Sequence, residues 1–173
     1  MNTQTLYTVT VYSENHVGLL TQISNIFTRR FINIESLTVS ASAMKGVHKF
    51  TITCYSDDKA IEKLVKQVEK KIDVLTAYYY VEDEIISREI ALFKVTTETL
   101  MANNTIESLV NRYNAKIIEV NNLYTVIEKT GGKTEIRELF DELEHYGILQ
   151  FVRSGSVSIT RSKYEQLSDV TMC

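Results

Sequence analysis

Three histidines, two cysteines and one glycine-bearing turn are the residues of this chain that invite a chemical reading. A zinc site needs His and Cys at ligand spacing. His16, His48 and His145 have no such spacing to one another or to the cysteines. Cys54 alternates with Phe50 and Ile52 in "FTITCYS", the pattern of a core strand, and Cys173 is the last residue. Neither carries a redox spacing. Walker and dinucleotide-binding glycine fingerprints are missing. Gly131-Gly132-Lys133-Thr134 resembles only the end of a phosphate loop and is expected to be a βα turn with Thr134 as N-cap. Glu142 and Glu144 lie in a charge-rich helical run, the usual pattern of a solvated face. Tyr78-Tyr79-Tyr80 is expected to pack in a core or an interface, with alternation burying one or two rings. These residues make no catalytic constellation, so no active site, metal or cofactor is expected in this chain.

The turn is different. "SENHVGLL", Ser13 to Leu20, joins a strand-like run to an apolar helical one, and the helix is expected to begin near Val17-Gly18. The first amides of a helix lack intrahelical partners and carry partial positive charge, which suits a carboxylate. Gly18 has no side chain to keep a ligand from its backbone. Asn15 offers a donor and an acceptor. Asn33, at the start of the next strand, adds further polar atoms, and Leu19, Leu20 and Ile34 could wall a shallow apolar pocket. Amides for an anion, oxygens for an ammonium and a small apolar recess describe an amino-acid site. The same residues also describe an N-cap, a tight turn and a strand start.

The elements that must hold this turn repeat along the chain. Tyr7, Val9 and Val11 alternate in a strand. Leu20, Ile23, Ile26 and Phe27 recur at helical spacing, followed by a strand in "NIESLTVSASA". Lys45-Gly46 reads as a hairpin turn into "VHKFTITCYS". Ser56, Asp57 and Asp58 offer N-caps for a helix with the stripe Ile61, Leu64, Val65, Val68, and "DVLTAYYYVED" closes a β-α-β-β-α-β order. The second half repeats it. Its strands are "EIALFKVT", "AKIIEV", "LYTVIEK" and "ILQFVRSGSVSIT". Its helices carry the stripes Ile106, Leu109, Val110, Tyr113 and Ile136, Leu139, Phe140, Leu143. The fold class is therefore α+β: two tandem ferredoxin-like domains, spanning 1–82 and 83–161 about the acidic link Glu82-Asp83-Glu84, with a polar tail at 162–173. Each sheet is expected to leave one face open unless a partner covers it, which argues for association.

Composition narrows the function classes. With 173 residues, 44% hydrophobic and 24% charged, the sequence reads as a globular protein. A net charge of −3 lacks the basic footprint of a nucleic-acid binder. No apolar run approaches the ~20 residues of a membrane helix, and "MNTQTLY" is neither a signal nor a transit peptide. A cytoplasmic location is expected. The chain has no proline, so its turns fall to six glycines and to polar residues.

"ENHVGLLTQISNIFTRR" followed by "NIESLTV" resembles the ACT domain that opens the regulatory small subunit of acetohydroxyacid synthase, also called acetolactate synthase. "SREIALFKV", "LYTV" and "VRSGSVSITR" look like second-domain landmarks of the same family, in the expected order, so the resemblance covers about residues 6–161. It implies a non-catalytic subunit that binds and stimulates a large catalytic partner holding thiamine diphosphate, FAD and Mg²⁺. That partner condenses pyruvate with pyruvate or 2-oxobutyrate, the first common step of branched-chain amino-acid synthesis. The resemblance further implies feedback inhibition by valine, bound where two ACT domains of a homodimer meet edge to edge. One chain then gives the loop Asn15, His16, Val17, Gly18, Leu19 and Leu20, and the partner chain gives Asn33 and Ile34.

Two residues depart from the family's pattern. His16 stands where an acidic residue is common, and histidine is the side chain that titrates between pH 5 and 8. Phe31 stands where a glycine often ends the first helix. Glycine takes a positive φ cheaply and phenylalanine does not, so the helix end must differ or carry strain. Two other readings compete: a stand-alone ACT-type amino-acid-binding regulator, and an RNA-recognition module of the same element order. The second would show aromatic residues and a Lys/Arg-Gly-aromatic pattern on a central strand, a pattern that "VHKFTITCYS" lacks.

Overall fold

Strand β1, Thr5–Glu14, is the centre of the first sheet. The computed structural model describes residues 4–102 and 104–163. After β1 come α1 (Leu19–Arg29), β2 (Ile34–Ala41), β3 (Val47–Ser56), α2 (Asp58–Glu69) and β4 (Val74–Tyr80). The strands pair antiparallel in the order β2-β3-β1-β4, the ferredoxin-like arrangement. Period-2 alternation sends Tyr7, Val9 and Val11 into a core with Ile23, Phe27, Ile52, Cys54, Ile61 and Leu64. Asp57 caps α2, its carboxylate accepting the Ala60 amide at 2.8 Å. Gly46, at φ 81°, turns the β2–β3 hairpin as its position predicted.

A three-residue 3₁₀ turn, Glu82–Glu84, leads into β5, Ile85–Thr96. Then follow α3 (Thr97–Ala102), α4 (Asn104–Arg112), β6 (Lys116–Val120), β7 (Tyr124–Gly131), α5 (Lys133–Glu144), β8 (Ile148–Arg153) and β9 (Val157–Thr160). The sheet order β6-β7-β5-β8 repeats that of the first sheet, with β9 added on β5. Phe93, Val95, Ile106, Leu109, Ile127 and Leu139 form its core. By compactness the chain divides into one unit through Ser87, joined by the segment from Ser156, and a second from Arg88 to Gly155. The Ser87 and Ser156 hydroxyls, 2.6 Å apart, and the Arg161 amide donating to the Glu84 carbonyl at 2.9 Å fasten that returning segment.

Several local expectations are corrected. The run "ILQFVRSGSVSIT" is two strands, because Gly155 at φ 79° and a Ser154 hydroxyl that accepts the Ile90 amide break it. The residue capping α5 is Gly132, one position before the helix, while Thr134 lies inside the first turn. No ring of Tyr78, Tyr79 and Tyr80 is fully buried, and Tyr79 packs edge-on against Tyr7 with centroids 5.7 Å apart. The first sheet does not leave its second face to water: Thr8, Thr10, Tyr12, Thr51 and Thr76 on that side are buried. On that side the Lys49 ammonium donates to the Ser158 carbonyl at 3.2 Å and lies 5.4 Å from the Tyr12 ring centre. Strand β6, by contrast, is exposed throughout, with Ile118 and Val120 more than half accessible. No helix among the described residues is long and apolar enough to cross a membrane.

The end of α1 carries the strain that Phe31 foreshadowed. The Ile32 amide donates to the Phe27 carbonyl and the Phe31 amide to that of Thr28, a Schellman close with Phe31 in the left-handed position at φ 55°. The ring is 98% exposed, so no burial offsets the strain. In the second half Asn114, at φ 50°, ends α4 in the same way, and asparagine is a residue that tolerates this conformation. Phe31→Gly is therefore expected to stabilise the protein by about 1 kcal/mol, the left-handed cost less the greater chain entropy of glycine, read as a higher urea midpoint. A second expectation concerns Tyr7, whose hydroxyl donates to Asp58. That hydrogen bond, then burial, then the carboxylate's charge push the phenol up to about 12 from its ordinary value. The neutral phenol is thus favoured by folding, so its contribution is complete below pH 10 and lost as pH rises from 10 toward 12. Urea titrations at pH 9 and pH 11.5 should show the advantage of the parent chain over Tyr7→Phe shrinking between the two.

Candidate functional site

The β1–α1 turn is built from backbone. The Asn15 amide donates to the Gly46 carbonyl at 3.2 Å, tying the loop to the β2–β3 hairpin. The Leu19 amide reaches back to the His16 carbonyl at 3.4 Å, and the Gly18 carbonyl accepts the first helical bond from Gln22 at 3.1 Å. Gly18 is the N-cap residue, at φ 87° and ψ −7°, and no side chain caps the helix. Helix α1 begins at Leu19, one to two residues later than the sequence suggested. A β-carbon placed on Gly18 would meet nothing within 4 Å. Conformation, not crowding within the chain, is therefore what requires glycine here. The space over its backbone is open, and the start of α1 faces it with no side-chain carboxylate in the capping position.

Beside this turn lies a small cavity of about 170 Å³. Asn15, His16, Gly18, Leu19 and Leu20 line it, joined by Glu14, Val39, His48 and Phe50. Sheet register explains the company: Ser13 is opposite His48 and Val39 is opposite Phe50, so the hairpin supplies the far wall. Leu19 is anchored in the core at 2% exposure, whereas Leu20 is half open. Val17 is fully exposed and does not line the cavity. Glu14, Val39, His48 and Phe50 were not foreseen. The pairing of β1 with β3 and of β3 with β2, inferable from the hairpin, was the signal that could have placed them.

His16 is held from two sides. Its Nδ1 lies 3.0 Å from Asp73 Oδ1, and its Nε2 lies 3.5 Å from Glu14 Oε2. The Glu14 amide also donates to the Asp73 carbonyl at 2.9 Å. The ring thus links the β1–α1 turn to the α2–β4 turn. One atom from each of these three side chains lies within 4.8 Å of the others. The two carboxylates take opposite ring nitrogens, however, which is the geometry of a clasp and not of ligands converging on one ion. Asp73 was read from sequence only as a strand start. Cys54 is fully buried, and burial, with Glu35 adding to it, pushes its thiol up to about 12. Such a thiol is no nucleophile at neutral pH.

Asn33 and Ile34 are not in this cavity. They lie past the opposite end of α1, roughly 16 Å along the helix axis at 1.5 Å per residue. Asn33 is exposed, its amide 3.4 Å from Glu35 Oε1, and Ile34 is half-buried against the core. Ile34 opens β2, an edge strand of the sheet. A single chain therefore brings the loop residues together and leaves the other two apart. Among the described residues the second half has no counterpart of the turn. Strand β5 passes directly into α3 at Thr97, whose hydroxyl donates to the Asn121 carbonyl at 2.6 Å.

Comparison with known proteins gives one consistent answer. Residues 9–76 match the family described as AHAS small subunit-like ACT domain, and residues 88–162 match the small subunit of acetolactate synthase. The acetolactate synthase small subunit of Mycolicibacterium smegmatis is 36% identical over 155 residues, covering 90% of this chain and 91% of the relative. That of Bacillus subtilis is 30% identical over 161 residues, covering 92% and 93%. The crystal structure of the acetolactate synthase small subunit from Thermotoga maritima superposes with a TM-score of 0.83 at 28% identity, covering 92% of this chain and 99% of that one.

The left-handed Gly18 makes a direct prediction. Gly18→Ala should cost about 1–2 kcal/mol of stability, read by urea unfolding, although its methyl meets no atom. A cost near zero would mean that the turn relaxes.

Proposed function

The chain belongs to the acetolactate synthase small subunits, regulatory chains that carry an ACT domain, and from this we propose that it binds and stimulates the catalytic subunit and makes it subject to inhibition by valine. The observation that carries the effector reading is the uncapped start of α1 at Gly18, open above its backbone and adjoining a cavity of about 170 Å³. That is below the ~300–1,000 Å³ of drug-sized pockets and of the order of a small amino acid. In this reading the effector's carboxylate meets the first amides of α1, its ammonium meets Asn15 and Glu14, and its side chain lies against Leu20. Thiamine diphosphate, FAD and Mg²⁺ belong to the catalytic partner, where pyruvate is condensed.

The site is shared between two copies. Asn33 and Ile34 stand at the opposite end of α1 from the loop, and β2 presents a free sheet edge. Antiparallel pairing of two such edges sets the start of one α1 beside the end of the other, so each loop receives its partner's Asn33 and Ile34. Burying a valine side chain is worth about 1.5–3 kcal/mol. Alanine lacks two carbons at ~0.8 kcal/mol each and should bind roughly tenfold more weakly. Leucine must be rejected by shape. Regulation needs a coupling of only about 1–3 kcal/mol between effector and catalytic sites. A ligand that tightens one arrangement of the ACT pair supplies it.

Acetolactate formation by the catalytic subunit, with and without this chain and across a valine titration, tests the proposal. Stimulation that valine reverses is the expected result; no stimulation would favour a stand-alone regulator. Gly18→Asp and Gly18→Asn carry similar backbone strain and differ in charge. The aspartate should raise the valine midpoint at least tenfold more than the asparagine, with stimulation kept in both. Equal behaviour of the two would remove the effector's carboxylate from this turn.

A further inference from the structure

The second unit carries a groove for which the regulatory reading has no use. It has a volume of about 410 Å³ and lies between the first half of α5 and strand β8, far larger than the cavity at Gly18. Its floor is Ile136, Phe140 and Phe151, and its rim holds Lys133, Arg137 and Arg153. The floor is a column of rings. Phe93, fully buried, is 4.9 Å from Phe151, and Phe151 is 4.8 Å from Phe140. The Arg137 guanidinium closes the column, 5.0 Å from the Phe140 ring centre. Phe140 and Phe151 are only partly covered, so the apolar core reaches the surface here.

Two of the cations are fixed by carboxylates outside the groove. Arg137 Nε is 2.9 Å from Asp141 Oδ1, one helical turn on. Arg153 Nη1 is 3.5 Å from Glu89 Oε2, and that oxygen is buried without a hydrogen-bond partner. A guanidinium has five N–H donors, and one carboxylate engages at most two of them. Both arginines are therefore positioned while keeping donor capacity. The only acid on the lining is Glu138, against three cations. A volume within the ~300–1,000 Å³ of ligand pockets, apolar walls and a few convergent charges is the pattern of a small-molecule site.

We propose that the groove between α5 and β8 binds a small organic anion whose apolar body rests on Phe140 and Phe151 and whose carboxylate or phosphate is held by Arg137, Arg153 and Lys133. The apolar body explains the ring column and the anionic end explains the rim. A free inorganic anion would use only the rim, and a neutral hydrocarbon only the floor. This assignment does not depend on valine at the first unit.

The full chain, isotopically labelled, is titrated with phenylacetate, isovalerate and phenyl phosphate, and the amides are followed by NMR. Phenylacetamide, the neutral isostere, and inorganic phosphate serve as controls. The expected result is saturable shifts over 133–140 and 150–153 for at least one of the three anions. Each control should bind about tenfold or more weakly. Arg137→Gln lies on the solvent side of α5 and should weaken that anion about tenfold with an otherwise unchanged spectrum. Shifts confined to residues 14–20, equal binding of phenylacetamide, or no shift with any of the three anions would overturn the proposal. Arg153 is left intact because its loss would strand Glu89.

Discussion

Strand β1 is buried on both faces, and the rest of the first unit is arranged around that constraint. Val9 and Val11 face one side with no exposure at all, while Thr8, Thr10 and Tyr12 face the other, nearly as deep. A strand so enclosed must be central, must satisfy its polar groups in the sheet and must end abruptly where the chain returns to solvent. It does so at Glu14. The chain then has four residues in which to reverse and start a helix whose own Leu19 is already core. A left-handed glycine meets that demand. The proposed effector loop is thus also a backbone solution to that reversal, with its open helix start as the by-product.

Much of this was legible beforehand, for reasons that particular residues make clear. Val9 and Val11 alternating, and Ile61, Leu64, Val65 and Val68 at helical spacing, report burial on one face, which period alone encodes. Gly46 and Asp57 sit where local backbone chemistry allows few other residues. What period cannot encode is burial on the second face. Thr8 and Thr10 read as the solvent side of a half-buried strand, and only tertiary packing buries them. The break at Ser154–Ser156 had a local signal in its Ser-Gly step, a turn dipeptide, but the bond that fixes it comes from Ile90 in a distant strand. The walls of the cavity were hidden likewise. Val39 and His48 reach it through sheet register, which single elements do not carry.

The two halves share topology but differ in what they ask of it. Both first helices close on a left-handed residue, Phe31 in one and Asn114 in the other. The entry to those helices diverges, a bare glycine turn against an extra helix at Thr97. In the second half the larger opening lies in the gap between α5 and β8. A repeated topology can in this way keep its packing rules while its surface openings differ, since function lives in sites grafted on a fold.

Strand β6 has a practical meaning for anyone who handles this protein. It is an edge strand with Ile117, Ile118 and Val120 exposed and one row of backbone groups unpaired, tempered by Lys116 and Glu119. Edges of this kind template cross-chain pairing and aggregation. Solubility of the isolated chain will therefore depend on concentration and on whatever shields β6. A cell that makes it in excess would carry a proteostasis burden.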